Sequence, residues 1–165
     1  MERFKWGNFD KQRLYVDRSY APSVQSFHLL MLRTSEKFMD IGDSTRAVNL
    51  CLKYLEAFPN MNFPYDFKTM RFLDIMVEAG AYDKAKPFME VLAKETYDNL
   101  LFYGSLSPSD LENGFDQEYL MAMRTKDQLI AAIKRAGDAA FQKTLEDQFA
   151  PVQVEQEAPM LPGGN

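Results

Sequence analysis

Setting Gly42 on Gly80 makes two stretches of this chain read alike, and that self-similarity restricts the fold more than any other feature. The first runs Phe38-Met39-Asp40-Ile41-Gly42 and has Ala47 five residues after the glycine. The second runs Met76-Val77-Glu78-Ala79-Gly80 and has Ala85 at the same offset. In both, apolar residues recur at helical spacing up to the glycine and again beyond it. A glycine there lets the backbone enter the left-handed region and reverse. A small residue in the next helix's first turns lets the two helices approach closely. The pattern predicts stacked helical hairpins.

The rest of the chain fits an all-α reading of about six helices. Residues 1–21 are an extended lead-in, with Phe4, Trp6, Phe9, Leu14 and Tyr15 as anchors. The first helix covers Pro22–Ile41, with proline in its first turn and Phe27, Leu30, Met31, Phe38 and Ile41 on its apolar face. Asp43 or Ser44 caps the second, Thr45–Phe58, which Pro59 stops. The connector between Pro59 and Pro64 leads to a third helix, Tyr65–Ala79, capped by Asp66. The fourth starts near Tyr82 and runs to about Tyr103. A break at 104–108 and a short helical turn from Ser109 come next. A fifth helix, Asp116–Ala136, has Tyr119, Leu120 and Leu129 inward and ends at Gly137. A sixth runs Asp138–Phe149. Helical-repeat residues are thus 22–150. The segment 151–165, rich in Pro, Gly, Glu and Gln, is expected to be a disordered tail. No strand pattern competes.

The Gly42, Ala47 and Pro59 spacing resembles the tetratricopeptide pattern, and Gly80, Tyr82 and Ala85 match a second unit. There are departures. The two glycines stand 38 residues apart rather than about 34. Met31 and Thr69 replace the early aromatic residue of the first helix in each unit. The closing proline is missing from the second unit. The alternative is an irregular helical bundle with coincidental glycines. Carried over residue by residue, the family's groove-facing positions are Leu32, Glu36, Met39 and Asp40, then Met70, Asp74, Val77 and Glu78. That face is acidic with apolar spots, and it suits a basic or amphipathic peptide. The competing reading leaves these residues solvated or covered by the lead-in.

Composition narrows the function classes. A length of 165 residues suggests one domain with a single core. A net charge of -5 and a longest basic run of only Lys134-Arg135 argue against nucleic acid as a partner. The single cysteine, Cys51, allows no internal disulfide. No stretch approaches the roughly 18 apolar residues of a membrane span, and the first ten residues lack the apolar run of a signal peptide.

The residues that could carry chemistry read as structural. His28 is the only histidine, with no second ligand near it in sequence, which makes a poor metal site. Cys51 lies on an apolar helix face, as a buried inert thiol does. Asp110, Glu112, Asp116 and Glu118 cluster where helices begin, and there the helix dipole favours carboxylates. Gly163-Gly164 has no strand and helix around it, so it makes no phosphate loop. No catalytic residue, cofactor or metal is expected. The competing function is a free-standing small enzyme with an unrecognised carboxylate site, and a third option is a purely structural cap.

A second resemblance covers about nine-tenths of the chain. It is carried by Lys5-Trp6-Gly7-Asn8, Tyr15-Val16-Asp17, Asn62-Phe63-Pro64-Tyr65-Asp66, Glu78-Ala79-Gly80, the Leu101-Phe102-Tyr103 to Leu106 segment before Pro108, and Lys143-Thr144-Leu145-Glu146-Asp147. In these residues the chain is similar to the soluble C-terminal region of a family of large bacterial multi-pass membrane proteins. That family is of unknown function or of a glycosyltransferase type resembling protein O-mannosyltransferases. The resemblance implies a non-catalytic interaction or scaffold domain attached to a membrane enzyme, on the extracytoplasmic (periplasmic) side. Its partner would be a protein, a peptide or the membrane portion of the same polypeptide. A free-standing protein would instead be cytoplasmic.

Overall fold

The structure, a computed structural model, describes residues 7–154. They form seven α-helices and no strand: α1 (Ala21–Asp40), α2 (Ser44–Ala57), α3 (Phe67–Glu78), α4 (Tyr82–Gly104), α5 (Pro108–Glu112), α6 (Asp116–Ala136) and α7 (Ala139–Val154). A single 3-10 turn, Arg18–Tyr20, leads into α1. The seventh helix is the five-residue α5, the turn expected from Ser109. Where length suggested a single core, the chain gathers into two compact units, Met1–Leu92 and Ala93–Asn165.

Local chemistry sets the helix ends of the first unit. After α1 the backbone turns left-handed at Gly42, φ +78°. The Gly42 N–H donates to the Met39 carbonyl at 2.9 Å and the Asp43 N–H to the Phe38 carbonyl at 2.8 Å. After α3 the same turn recurs at Gly80, φ +74°, with Gly80 N–H on Val77 O at 3.0 Å and Ala81 N–H on Met76 O at 2.8 Å. These bonds satisfy the carbonyls that a helix end leaves unpaired. Asp43 caps α2 by accepting from the Arg46 N–H at 3.0 Å. Asp66 caps α3 in a capping box with Thr69.

In that unit α1 packs along α2, and α3 packs against both. Ala47 and Ala85, the small residues five positions past each glycine, are fully buried. Met31, Leu50, Cys51, Leu55, Met70, Phe72, Leu73 and Met76 are buried with them. An aromatic stack runs through the interior. Tyr54 lies flat on Phe72 with centroids 4.0 Å apart, and His28 stands edge-on to Phe72 at 5.1 Å. The lead-in is held by Asn62. Its Oδ1 accepts from the Leu14 N–H at 2.7 Å, and its Nδ2 donates to the carbonyls of Phe9 and Gln12 at 2.7 and 2.9 Å. Phe9 also meets Phe63 edge-on.

In the second unit α6 packs on α7, with Leu129, Ala132, Ile133, Leu145 and Phe149 buried. Tyr97, in the last part of α4, meets Phe149 at 5.8 Å. Gly137, φ +81°, ends α6 in a third left-handed turn.

Several expectations need correction. Tyr15 is 90% exposed and anchors nothing. Leu30, Ile41 and Leu120 are exposed, not inward, because a helical apolar stripe does not say which of its edges a neighbour covers. Residues 151–154 are not tail but the last turn of α7. That helix runs through Pro151, and Val152 beyond it is buried, so packing offsets the bond that proline cannot donate. The expected anchors Phe4 and Trp6 and the tail from 155 onward lie outside the described residues.

Candidate functional site

The expected groove positions sit on α1 and α3, which pack side by side in the first unit. Glu36 on α1 and Arg71 on α3 form an ion pair across them at 3.1 Å. Asp40 pairs with Lys37 at 3.5 Å, both side chains well exposed. Leu32, Met39, Asp74 and Val77 are half-buried, and Glu78 is exposed. Met70 departs from the expected set. It is 0% exposed, packed inside the unit instead of being presented on a surface. The face is also less acidic than its expected residues imply. Arg71 and Lys37, absent from that set, lie against two of its carboxylates. Exposed pairs of this kind contribute only about 0–1 kcal/mol to stability, so their main consequence is for the field a partner meets.

A cleft of about 340 Å3 opens elsewhere in the same unit, among the lead-in, the start of α1, the connector and the start of α3. His28 and Tyr54 line it, with Asn62, Asp66, Lys68 and Thr69. His28 is buried, and its Nδ1 lies 2.9 Å from the Tyr54 hydroxyl. Burial lowers the imidazole pKa, against the pull of the Asp66 charge. Burial also pushes the Tyr54 phenol well above its ordinary value. The phenol therefore keeps its proton, and the direction of its hydrogen bond with Nδ1 follows the imidazole tautomer.

Asp66, Thr69 and Asn62, which also line this cleft, are engaged in holding the fold. Asp66 accepts from the Lys68 and Thr69 N–H groups, Thr69 Oγ1 closes the capping box, and Asn62 clasps the lead-in. The Asp17 carboxyl is held below its ordinary range by its hydrogen bonds with Ser19. The Asp43 carboxyl is lowered by the Arg46 backbone N–H and side chain.

Cys51 is fully buried, and desolvation pushes its thiol up to about 11. It is a protonated thiol at neutral pH, without the thiolate character a nucleophile needs. Asp110 accepts from the Ser107 hydroxyl at 2.6 Å beside the start of α5, and Asp116 and Glu118 lie in the first turn of α6. All three occupy the positions that the helix dipole favours, whereas Glu112, expected at a helix start, is the last residue of α5. Among the described residues no group of three or more His, Cys, Asp or Glu side chains is placed to hold a metal ion. No helix among them is long and apolar enough to cross a membrane.

Sequence reasoning missed the His28–Tyr54 pair and the Glu36–Arg71 bridge. Both join residues far apart in the chain, 26 and 35 positions, and neither leaves a local signal. Compared with known proteins, the chain matches no family model, no curated protein and no solved structure.

Proposed function

We propose that this chain is a non-catalytic interaction module of tetratricopeptide-like hairpins, which binds a basic or amphipathic peptide on the face shared by α1 and α3. The observation that carries the reading is the pair of glycine turns. Gly42 and Gly80 adopt the same left-handed geometry with the same two hydrogen bonds, each follows a helix of the α1–α3 face, and each precedes a fully buried alanine. Side-by-side first helices are what a hairpin solenoid needs to build a continuous binding face. The resemblance to the soluble region of membrane glycosyltransferase-like proteins extends this reading. In it, the module sits outside the membrane on the extracytoplasmic side and docks a protein or the membrane portion of its own polypeptide.

The rival reading, a small enzyme with a carboxylate site, asks for a carboxylic acid pushed up in a pocket. Asp17 and Asp43 instead have their carboxyl pKa values lowered, by hydrogen bonds with Ser19 and Arg46. The test is calorimetric titration with a synthetic basic amphipathic helical peptide. Glu36→Lys combined with Asp74→Lys should weaken binding by about tenfold or more, some 1.4 kcal/mol. Unchanged binding removes this face from the proposal. Fractionation of source cells tests the tethered part. A band much larger than 19 kDa in the membrane fraction supports it, and a soluble band near 19 kDa refutes it.

A further inference from the structure

The second unit carries an exposed aromatic surface that the α1–α3 face does not explain. Phe102, near the end of α4, is 52% exposed, and Phe115, just before α6, is 40% exposed. Their rings meet edge-on at 6.1 Å. Tyr103 joins them, 6.0 Å from Phe115, and Tyr119 follows at 6.4 Å from Tyr103. The two tyrosines also line a hollow of about 250 Å3 walled by Leu106, Pro108, Leu111 and Val152. That volume falls below the roughly 300–1,000 Å3 typical of small-molecule sites. It is room for an anchoring side chain, not for a whole ligand.

The segment that forms this surface carries charge of one sign. From Asn99 to Met123 the chain holds four carboxylates, Asp110, Glu112, Asp116 and Glu118, and no Lys, Arg or His. All four are exposed, and the Glu118 charge adds to partial burial in opposing the ionisation of Tyr103. Aromatic faces attract cations as well, so rings and carboxylates favour the same sign of partner. Such a surface repels anionic lipid and nucleic acid and attracts a cationic peptide.

We propose that the Phe102–Phe115 surface is a second docking site, for a short basic peptide segment carrying one large apolar anchor. The anchor fills the hollow beside Tyr103 and Tyr119, and flanking Lys or Arg side chains lie against the aromatic rings and the four carboxylates. This site shares no residue with the α1–α3 face and stands or falls without it.

The test is fluorescence anisotropy of the whole protein with a fluorescein-labelled peptide KKFKK. Binding is expected to weaken about tenfold in Phe102→Ser and in the double variant Asp116→Lys/Glu118→Lys, and to weaken with added salt. It should hold in Glu36→Lys/Asp74→Lys, and it should fail for the peptides KKSKK and EEFEE. All the substituted side chains are partly or fully exposed, and unchanged helical circular dichroism checks that each variant folds. Absence of binding overturns the proposal, as does binding that ignores Phe102 and the carboxylates. Two further results overturn it by naming another occupant. One is self-association in sedimentation that Phe102→Ser abolishes. The other is adsorption to vesicles containing phosphatidylserine that Phe102→Ser abolishes.

Discussion

Acidification should weaken the first unit through one residue. His28 is the only histidine in the chain, so it is the only side chain whose ordinary pKa falls between about pH 5 and 8. In the fold it is buried against Tyr54 and Phe72, and desolvation holds its pKa below the ordinary value. In the unfolded chain it titrates near 6.5. Between the two values the unfolded chain binds the extra proton, so stability rises with pH across that window. The contribution is fully present above about pH 6.5 and is lost as pH falls below it.

At about pH 5.5 the unfolded ring is roughly nine-tenths protonated, and a folded ring that stays neutral then costs up to about 1.4 kcal/mol relative to about pH 8. With a urea dependence of about 1–3 kcal/mol per molar, the unfolding midpoint falls by about 0.5–1.4 M. The assay is urea unfolding at a series of pH values for the native chain and for His28→Gln, whose neutral amide removes the slope. Asp17 and Asp43, both lowered in the fold, lose their contributions only below about pH 4 and stay outside this window. Equal slopes in the two proteins would refute the argument. A native chain that gains stability on acidification would also refute it, by showing that the Asp66 charge outweighs desolvation.

Gly42→Ala should cost about 1–2 kcal/mol. Open space surrounds the position, so the penalty is that of a left-handed alanine alone, read as a fall in the thermal midpoint; no change would refute it. Asn62→Ala removes three hydrogen bonds to the lead-in and should cost about 1–3 kcal/mol. Trypsin should then cut faster after Lys11 and Arg13, and an unchanged cleavage rate would refute the clasp. Cys51, buried and with its thiol up at about 11, should react with a thiol reagent only as fast as the unit opens. Rapid labelling of the native protein would contradict its burial.

Features decided within a few residues were legible in the sequence. Asp66 marks a helix start because a side-chain cap closes within three positions. Gly42, Gly80 and Gly137 mark helix ends because their bonds reach back only a few residues. The helix α6 runs Asp116–Ala136, as the periodicity indicated. The candidate face was legible only in part. Leu32, Glu36, Met39, Asp40, Asp74, Val77 and Glu78 do retain some exposure, whereas Met70 is enclosed, because helical spacing alone does not separate the centre of a packed stripe from its rim.

By itself the sequence determined that the described chain is helical and where most of its helices start and stop. Those choices rest on backbone bonds and caps between near neighbours. Only the tertiary structure decided which stripe of each helix is covered. It placed His28 beside Tyr54 and Glu36 beside Arg71, kept α7 helical through Pro151 to bury Val152, and left Phe102 and Phe115 exposed. Burial and charge pairing depend on helices brought together from distant parts of the chain, and no local pattern encodes which side chains then meet.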